Sequence, residues 1–256
     1  CMQSSEPMPG SEVFLVTGAS KGLGKSICET LAQEGYIVIG LARSSTELTN
    51  LGSYLKGFNN DSQTIVCDLS DLEQVKLAGT DIIQRYPRIH GIIHNAGIIG
   101  PVGRMFSVSD AAWNETMTVN LLSVQLLTRI LYPAMVEASR CRVTTISSGA
   151  AVNSLVSWSA YCSSKAALDM WTKCLADEGA GDSVSAISIA PGIVDTNMQA
   201  TIRSATKEDF PMVDRFIQFH KNGDLVDPDD VARALFKLMT SHTMEQSGLR
   251  FDVRDL

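Results

Sequence analysis

The chain has 256 residues, 45% of them hydrophobic and 19% charged, with a formal net charge of −7. That is a globular composition, its acidic balance speaks against a nucleic-acid backbone as partner, and no apolar run reaches the roughly 18–20 residues of a membrane span. The six cysteines form no CxxC pair and read as reduced, packed thiols of a cytoplasmic protein, not as a disulfide frame or a metal site.

Residues 1–11, where Cys1 precedes Met2 and no basic-then-apolar leader is visible, read as a disordered or vector-derived N-terminus. Val13–Thr17 is a short apolar run that predicts a buried strand. It leads into Gly18, Ala19, Ser20, Lys21, Gly22, Leu23 and Gly24, and Ile27 and Leu31 then set a helical period that Gly35 ends. In the order strand, glycine turn, helix, such glycines point to phosphate binding: the helix start offers free N–H groups and missing side chains allow close approach.

Residues 36–41 predict a second strand, followed by Ala42, Arg43 and Ser44. In sheets that take NAD a carboxylate near this point holds the ribose hydroxyls. Here none occurs before Glu47. A guanidinium beside hydroxyls suits a 2′-phosphate, with Lys21 as a second cation, so the expected cofactor is NADP(H). The bland alternative is that Arg43 is a solvated loop residue.

Residues 64–67 predict a third strand with Asp68 and Leu69 at its end, Asp68 either facing an adenine or capping a helix over 71–86. Residues 89–94 predict a fourth, running into Asn95, Ala96 and Gly97, small enough for a flat ligand to lie against the backbone. His94 is read as packing in that strand. A long helix over 110–138 carries Asn120 among apolar neighbours, as a structural hydrogen-bonder or as part of a proton relay.

A fifth strand over 142–146 delivers Ser147 and Ser148; a helix over 161–178 follows. The sixth strand, 184–189, runs into Pro191, Gly192, Ile193, Val194 and Thr196. Residues 197–226 mix Met198, Phe210, Met212, Phe216 and Phe219 with charges, which predicts a lid over an apolar pocket or plain helical packing. A helix from Asp227 to about Met239 and a short strand at 249–251 end the chain. The alternation predicts one α/β domain over 12–256, a single Rossmann-type, doubly wound parallel sheet of about seven strands. Ligands then belong at the carboxyl edge, where Gly18, Arg43, Asp68, Asn95, Ser148 and Pro191 converge.

Tyr161 and Lys165 are four apart, one turn on a helix face. An ammonium near a phenol favours the phenolate, which expects a lowered Tyr161 pKa and a group able to exchange a proton with an alcohol oxygen. Ser148, if alongside, reaches the same oxygen.

T-G-x3-G-x-G over 17–24, N-A-G at Asn95, Asn120, Ser148, Tyr161-x3-Lys165 and Pro191-Gly192, in that order, resemble the short-chain dehydrogenase/reductase family over residues 12–256. The resemblance implies that Ser148 hydrogen-bonds the substrate carbonyl, Tyr161 donates the proton, Lys165 lowers the Tyr161 pKa and holds the nicotinamide ribose, and Asn120 supports a water relay. It places the cofactor on Gly18, Ser20, Lys21, Gly22, Leu23, Gly24, Ala42, Arg43, Ser44, Asp68, Leu69, Asn95, Ala96, Gly97, Tyr161, Lys165, Pro191, Gly192, Val194 and Thr196.

Within the family, 158–162, 190–199, 223–227 and 247–252 resemble sepiapterin reductases and the related microbial benzil and diketone reductases. That implies NADPH-dependent reduction of an activated ketone or vicinal dicarbonyl, either a pterin or an aromatic diketone. Ser148, Trp158, Tyr161, Ile193 and Met198 would face the substrate, and Asp252 would anchor a pterin through paired hydrogen bonds unless it is an exposed aspartate at a frayed end. The loop over 149–153 does not match these reductases residue by residue. The rival readings are a diketone reductase with no pterin role, an NAD-dependent alcohol dehydrogenase and a non-catalytic NADP-binding sensor. A homo-oligomer, a dimer in the favoured case, is expected through 110–138 and 160–178.

Overall fold

Seven strands stand side by side in the order β3-β2-β1-β4-β5-β6-β7, every neighbouring pair parallel. They are β1 Val13–Thr17, β2 Ile37–Ala42, β3 Gln63–Val66, β4 Gly91–His94, β5 Cys141–Ile146, β6 Val184–Ala190 and β7 Arg250–Asp252. The computed structural model describes residues 11–256; the reading of 1–11 as a tail lies outside the described residues, apart from Ser11.

Between the strands run α1 Gly22–Gln33, α2 Ser45–Lys56, α3 Leu72–Arg85, α4 Asp110–Met117, α5 Ser123–Glu137, α6 Ser159–Gly179, α7 Asn197–Arg203, α8 Val213–Asn222 and α9 Pro228–Ser241. β1 is buried on both faces and feeds two cores by its period of two. Leu15 packs with α3 and α5 through Ile82 and Leu131, while Phe14 and Val16 pack with α1 and α9 through Ile27 and Leu235. Strand order reverses between β1 and β4, which opens a crevice at their carboxyl ends.

The structure departs from the sequence reading in two places, α2 and the helix over 110–138, and resolves the alternatives left for 197–226. α2 was not expected. The stretch expected as one helix over 110–138 is interrupted by a π-helical turn, Thr118–Leu122, centred on Asn120. The segment 197–226 holds two helices, α7 and α8, over a third apolar cluster that includes Trp158, Tyr161, Ile202 and Phe210. Length and composition alone would let 110–137 cross a membrane, but half of its most apolar window is buried inside this fold. Cys28, Cys67 and Cys141 are buried, Cys162 is half-buried and Cys174 exposed, and all five are free. Among the described residues no group of His, Cys, Asp or Glu could hold a metal ion.

Candidate active site

Thr17 ties the two strands at the switch point: its Oγ1 accepts from Asn95 N and Ala96 N, both at 3.1 Å, and its carbonyl accepts from Asn95 Nδ2 at 3.0 Å. The glycine turn follows, with Gly18 at φ +70° and Gly22 at +54°. A side chain on Gly24 would collide with the Gly18 carbonyl and the Asn95 carboxamide. α1 then starts with no side-chain cap and no acidic residue in its first turn, leaving its N–H groups to an anion.

In front of that turn lies a cavity of about 290 Å³. Gly18, Ser20, Lys21, Gly22, Leu23, Ala42, Arg43, Ser44, Asp68, Leu69, Asn95, Ala96, Gly97 and Thr196 all line it. Ala19 and Gly24 stay behind the wall, Gly24 where its missing side chain lets the turn close. Lys21 and Arg43 are exposed at its rim and enter no ion pair among the described residues. Asp68 holds the next turn, accepting from Ser70 N at 2.9 Å and Ser70 Oγ at 2.8 Å, while Asp71 is the residue that caps α3.

A second cavity, about 550 Å³, continues from the first past Leu23, Asn95, Gly97, Thr196 and Met198, which line both. Ser148, Tyr161 and Lys165 meet here with Pro191, Gly192, Ile193, Val194, Trp158 and Asp252. Ser148 follows β5 in extended backbone and accepts from Ala150 N at 3.1 Å. Tyr161 and Lys165, in the first two turns of α6, are 6% and 3% exposed. The Tyr161 hydroxyl lies 4.0 Å from Met198 Sδ.

The expected lowering of the Tyr161 pKa is not found. Burial raises the phenol above the ordinary tyrosine value, with the Ser148 hydroxyl pulling the other way. Lys165 is itself stripped of water, which pushes it down to about 8 against the opposing charge of Asp169. Its Nζ donates to the Ile146 carbonyl at 2.7 Å and sits 5.8 Å from the Tyr161 ring centroid.

Asn120 is fully buried. Its Oδ1 accepts from Ile98 N and its Nδ2 donates to Ile98 O and Ser164 Oγ, each at 2.9 Å. Both amide hydrogens are thus used inside the fold. His94, at 2% exposed, bonds Thr128 Oγ1 at 2.8 Å, and burial pushes it down to about 3, so it packs as a neutral ring.

Asp252 is no frayed residue. It pairs with Ala190 across β6 and β7, and its carboxylate is held by Arg254 through Nε at 2.7 Å and through Nη2, which sets it at about 2. The 197–226 segment gives Met198, Met212, Phe216 and Phe219 to the cavity; Phe210 is fully buried, stacked on Trp158 at 4.9 Å between centroids. Sequence reasoning missed Arg254 and a pair 81 residues apart, Arg250 and Asp169, at 3.1 Å. No local pattern marks either.

The family profile for short chain dehydrogenase matches residues 12–207. The chain belongs to that family. It is 34% identical to a benzil reductase ((S)-benzoin forming) of Bacillus subtilis (strain 168) over 95% of this chain and 99% of that protein. It is 33% identical to an L-xylulose reductase of Caenorhabditis elegans, over 92% of this chain and 91% of that one. Among solved structures, a short-chain dehydrogenase of Shigella flexneri 2a str. 301 complexed with NADP superposes with a TM-score of 0.82, at 28% identity over 96% of this chain and 98% of that one. The short-chain dehydrogenase fold thus accounts for the sheet order, the crevice and the oxidoreductase class.

Proposed function

We propose that the protein is an NADPH-dependent ketone reductase whose preferred substrate is a vicinal diketone flanked by aromatic rings, the chemistry its Bacillus relative is named for. The observation that carries this is the second cavity. Trp158, Met198, Phe216 and Phe219 form an apolar wall over the meeting point of Ser148 and Tyr161, a lining that suits a flat, uncharged molecule. Asp252, on which the pterin reading leans, already has both carboxylate oxygens engaged by Arg254, which favours the diketone.

Lys21, Arg43 and Ser44 on the first cavity, with no carboxylate at the end of β2, support a cofactor bearing a 2′-phosphate. The Shigella neighbour that carries NADP supports the same choice. When bound, the nicotinamide supplies a hydride to the ketone carbon. Tyr161, kept protonated by burial, gives its proton to the ketone oxygen. Ser148 hydrogen-bonds that oxygen and stabilises its developing charge. Lys165, over the tyrosine ring, offsets the phenolate left behind. Asn120 acts by fixing the backbone at Ile98, and the 197–226 segment covers the bound substrate as a lid. Exposed Leu122, Val136 and Met170 offer the face for a homodimer, which sedimentation equilibrium would test.

The test is NADPH oxidation with benzil and with sepiapterin, in the wild type and in Asp252→Ala. We expect benzil to turn over well, sepiapterin poorly, and the variant to keep its benzil rate. Sepiapterin turnover whose KM rises in the variant while benzil is spared would replace the diketone with a pterin. NADPH binding without turnover of any carbonyl would leave a sensor.

A further inference from the structure

Neither Arg250 nor Asp169 lines the two cavities, yet the pair is tied to the reacting groups. Arg250, on β7, donates from Nε to Asp169 Oδ2 at 3.1 Å and from Nη2 to the Ser148 carbonyl at 3.0 Å. Asp169 stands one helical turn past Lys165 on α6 and is 9% exposed. Its Oδ1 is buried and meets no donor among the described residues. A buried carboxylate half satisfied in this way costs stability, which asks for a use.

The wiring suggests one. Lys165 holds the carbonyl of Ile146, Arg250 holds that of Ser148, and Asp169 is paired with Arg250 and stands one helical turn from Lys165 on α6. One carboxylate therefore serves both residues that fix the end of β5, the segment that presents the Ser148 hydroxyl. It also supplies the negative charge that acts on Lys165.

Among the described residues, the remaining surroundings of Lys165 carry no competing charge. Tyr161 is on the same helix; Gly97 after β4, Asn120 in the π turn, the Ile146 carbonyl on β5 and all of β6 are uncharged. Glu115 on α4 is exposed.

We propose that Asp169 and Arg250 are positioning residues of the reductase site, Arg250 fixing the Ser148 backbone and Asp169 opposing the charge of Lys165. The assignment rests on the reductase reading above, and the two fail separately in the following experiment.

The Lys165 side chain is titrated by NMR in the cofactor-free protein, its signal assigned by its loss in Lys165→Met. Asp169→Asn keeps the shape and removes the charge, so the Lys165 midpoint moves to lower pH by roughly one unit. Arg250→Met leaves Asp169 unpaired, its full charge acts on Lys165, and the midpoint moves to higher pH. A bridge that merely docks β7 on α6 shifts neither, and unchanged midpoints overturn the Asp169 assignment.

The kinetic arm uses benzil. Lys165 acts as a cation, so kcat falls as pH rises through its midpoint. That fall begins at lower pH in Asp169→Asn. In Arg250→Met kcat drops at least tenfold while the KM for NADPH stays, because the Ser148 support is lost while Lys165, its midpoint raised, remains a cation. A kcat equal to the wild type, or a loss that tracks the unfolded fraction, overturns the Arg250 assignment. A wild type that reduces no carbonyl refutes the reductase reading alone, since the opposite shifts of Lys165 are read without turnover.

Discussion

The Lys165 ammonium lies over the Tyr161 ring, 5.8 Å from its centroid, while its hydrogen bond goes to the Ile146 carbonyl. In this arrangement the lysine acts on the tyrosine through space. Before cofactor binds, burial dominates and the phenol stays protonated, the state a proton donor needs. Tyr161→Phe keeps the ring packing against Trp158 and removes only the acid. Turnover is expected to fall by about 10²–10⁴-fold with the melting temperature nearly unchanged. Near-normal turnover in steady-state assays would remove Tyr161 from the mechanism.

The buried lysine also has a stability signature. Its folded-state pKa of about 8 lies below the unfolded value of about 10.4. The charged amine therefore penalises the fold at pH 7, and the penalty fades as pH rises through that window to the unfolded value. Lys165→Met removes the charge and keeps the length, losing one hydrogen bond to Ile146. The variant is expected to be inactive and more stable at pH 7 by about 1–2 kcal/mol, an advantage that shrinks toward pH 10 in denaturant titrations. A destabilised Lys165→Met at neutral pH would contradict the burial argument.

The fold was legible wherever one element carries its own signal. The strands needed only apolar runs, and the glycine turn only its spacing. α2 was missed because its face is just Leu48, Leu51 and Leu55 and is broken by Gly52, which reads as a helix breaker. The glycine is there because a side chain would meet Thr64 Oγ1 at 2.9 Å, a fact of tertiary contact. The π turn at Asn120 and the Arg250–Asp169 pair are likewise products of packing between distant segments. The site was legible as a set of residues along one sheet edge; the direction of the Tyr161 shift was not, since burial outweighs a neighbour that sequence spacing alone puts close.

Cofactor choice turns on the end of β2. Ala42→Asp combined with Arg43→Ser exchanges a guanidinium for a carboxylate at the rim of the first cavity. A charge-assisted hydrogen bond of about 1.5–3 kcal/mol is lost, which corresponds to a fall of about 10–100-fold in kcat/KM for NADPH, with a rise for NADH. Kinetics with both nucleotides check this. Equal use of both by the wild type would instead make Arg43 a solvated loop residue.

Asn120 separates structural from chemical necessity. Its carboxamide joins Ile98 N, Ile98 O and Ser164 Oγ inside a fully buried space. Asn120→Ala leaves the Ile98 N–H and carbonyl unpaired and removes one donor from Ser164 Oγ, which still donates to the Tyr161 carbonyl, so the variant should lose about 2–4 kcal/mol of stability by urea unfolding. The π turn holds Ile98 against α6, and its loosening should lower kcat as well. Asn120→Asp is the discriminating partner: it still accepts from Ile98 N but sets a carboxylate against the Ile98 carbonyl. If the side chain served a proton relay, the aspartate would retain turnover in a stable protein. The structural role predicts instead that both variants lose stability and activity together, and that cooling restores part of each.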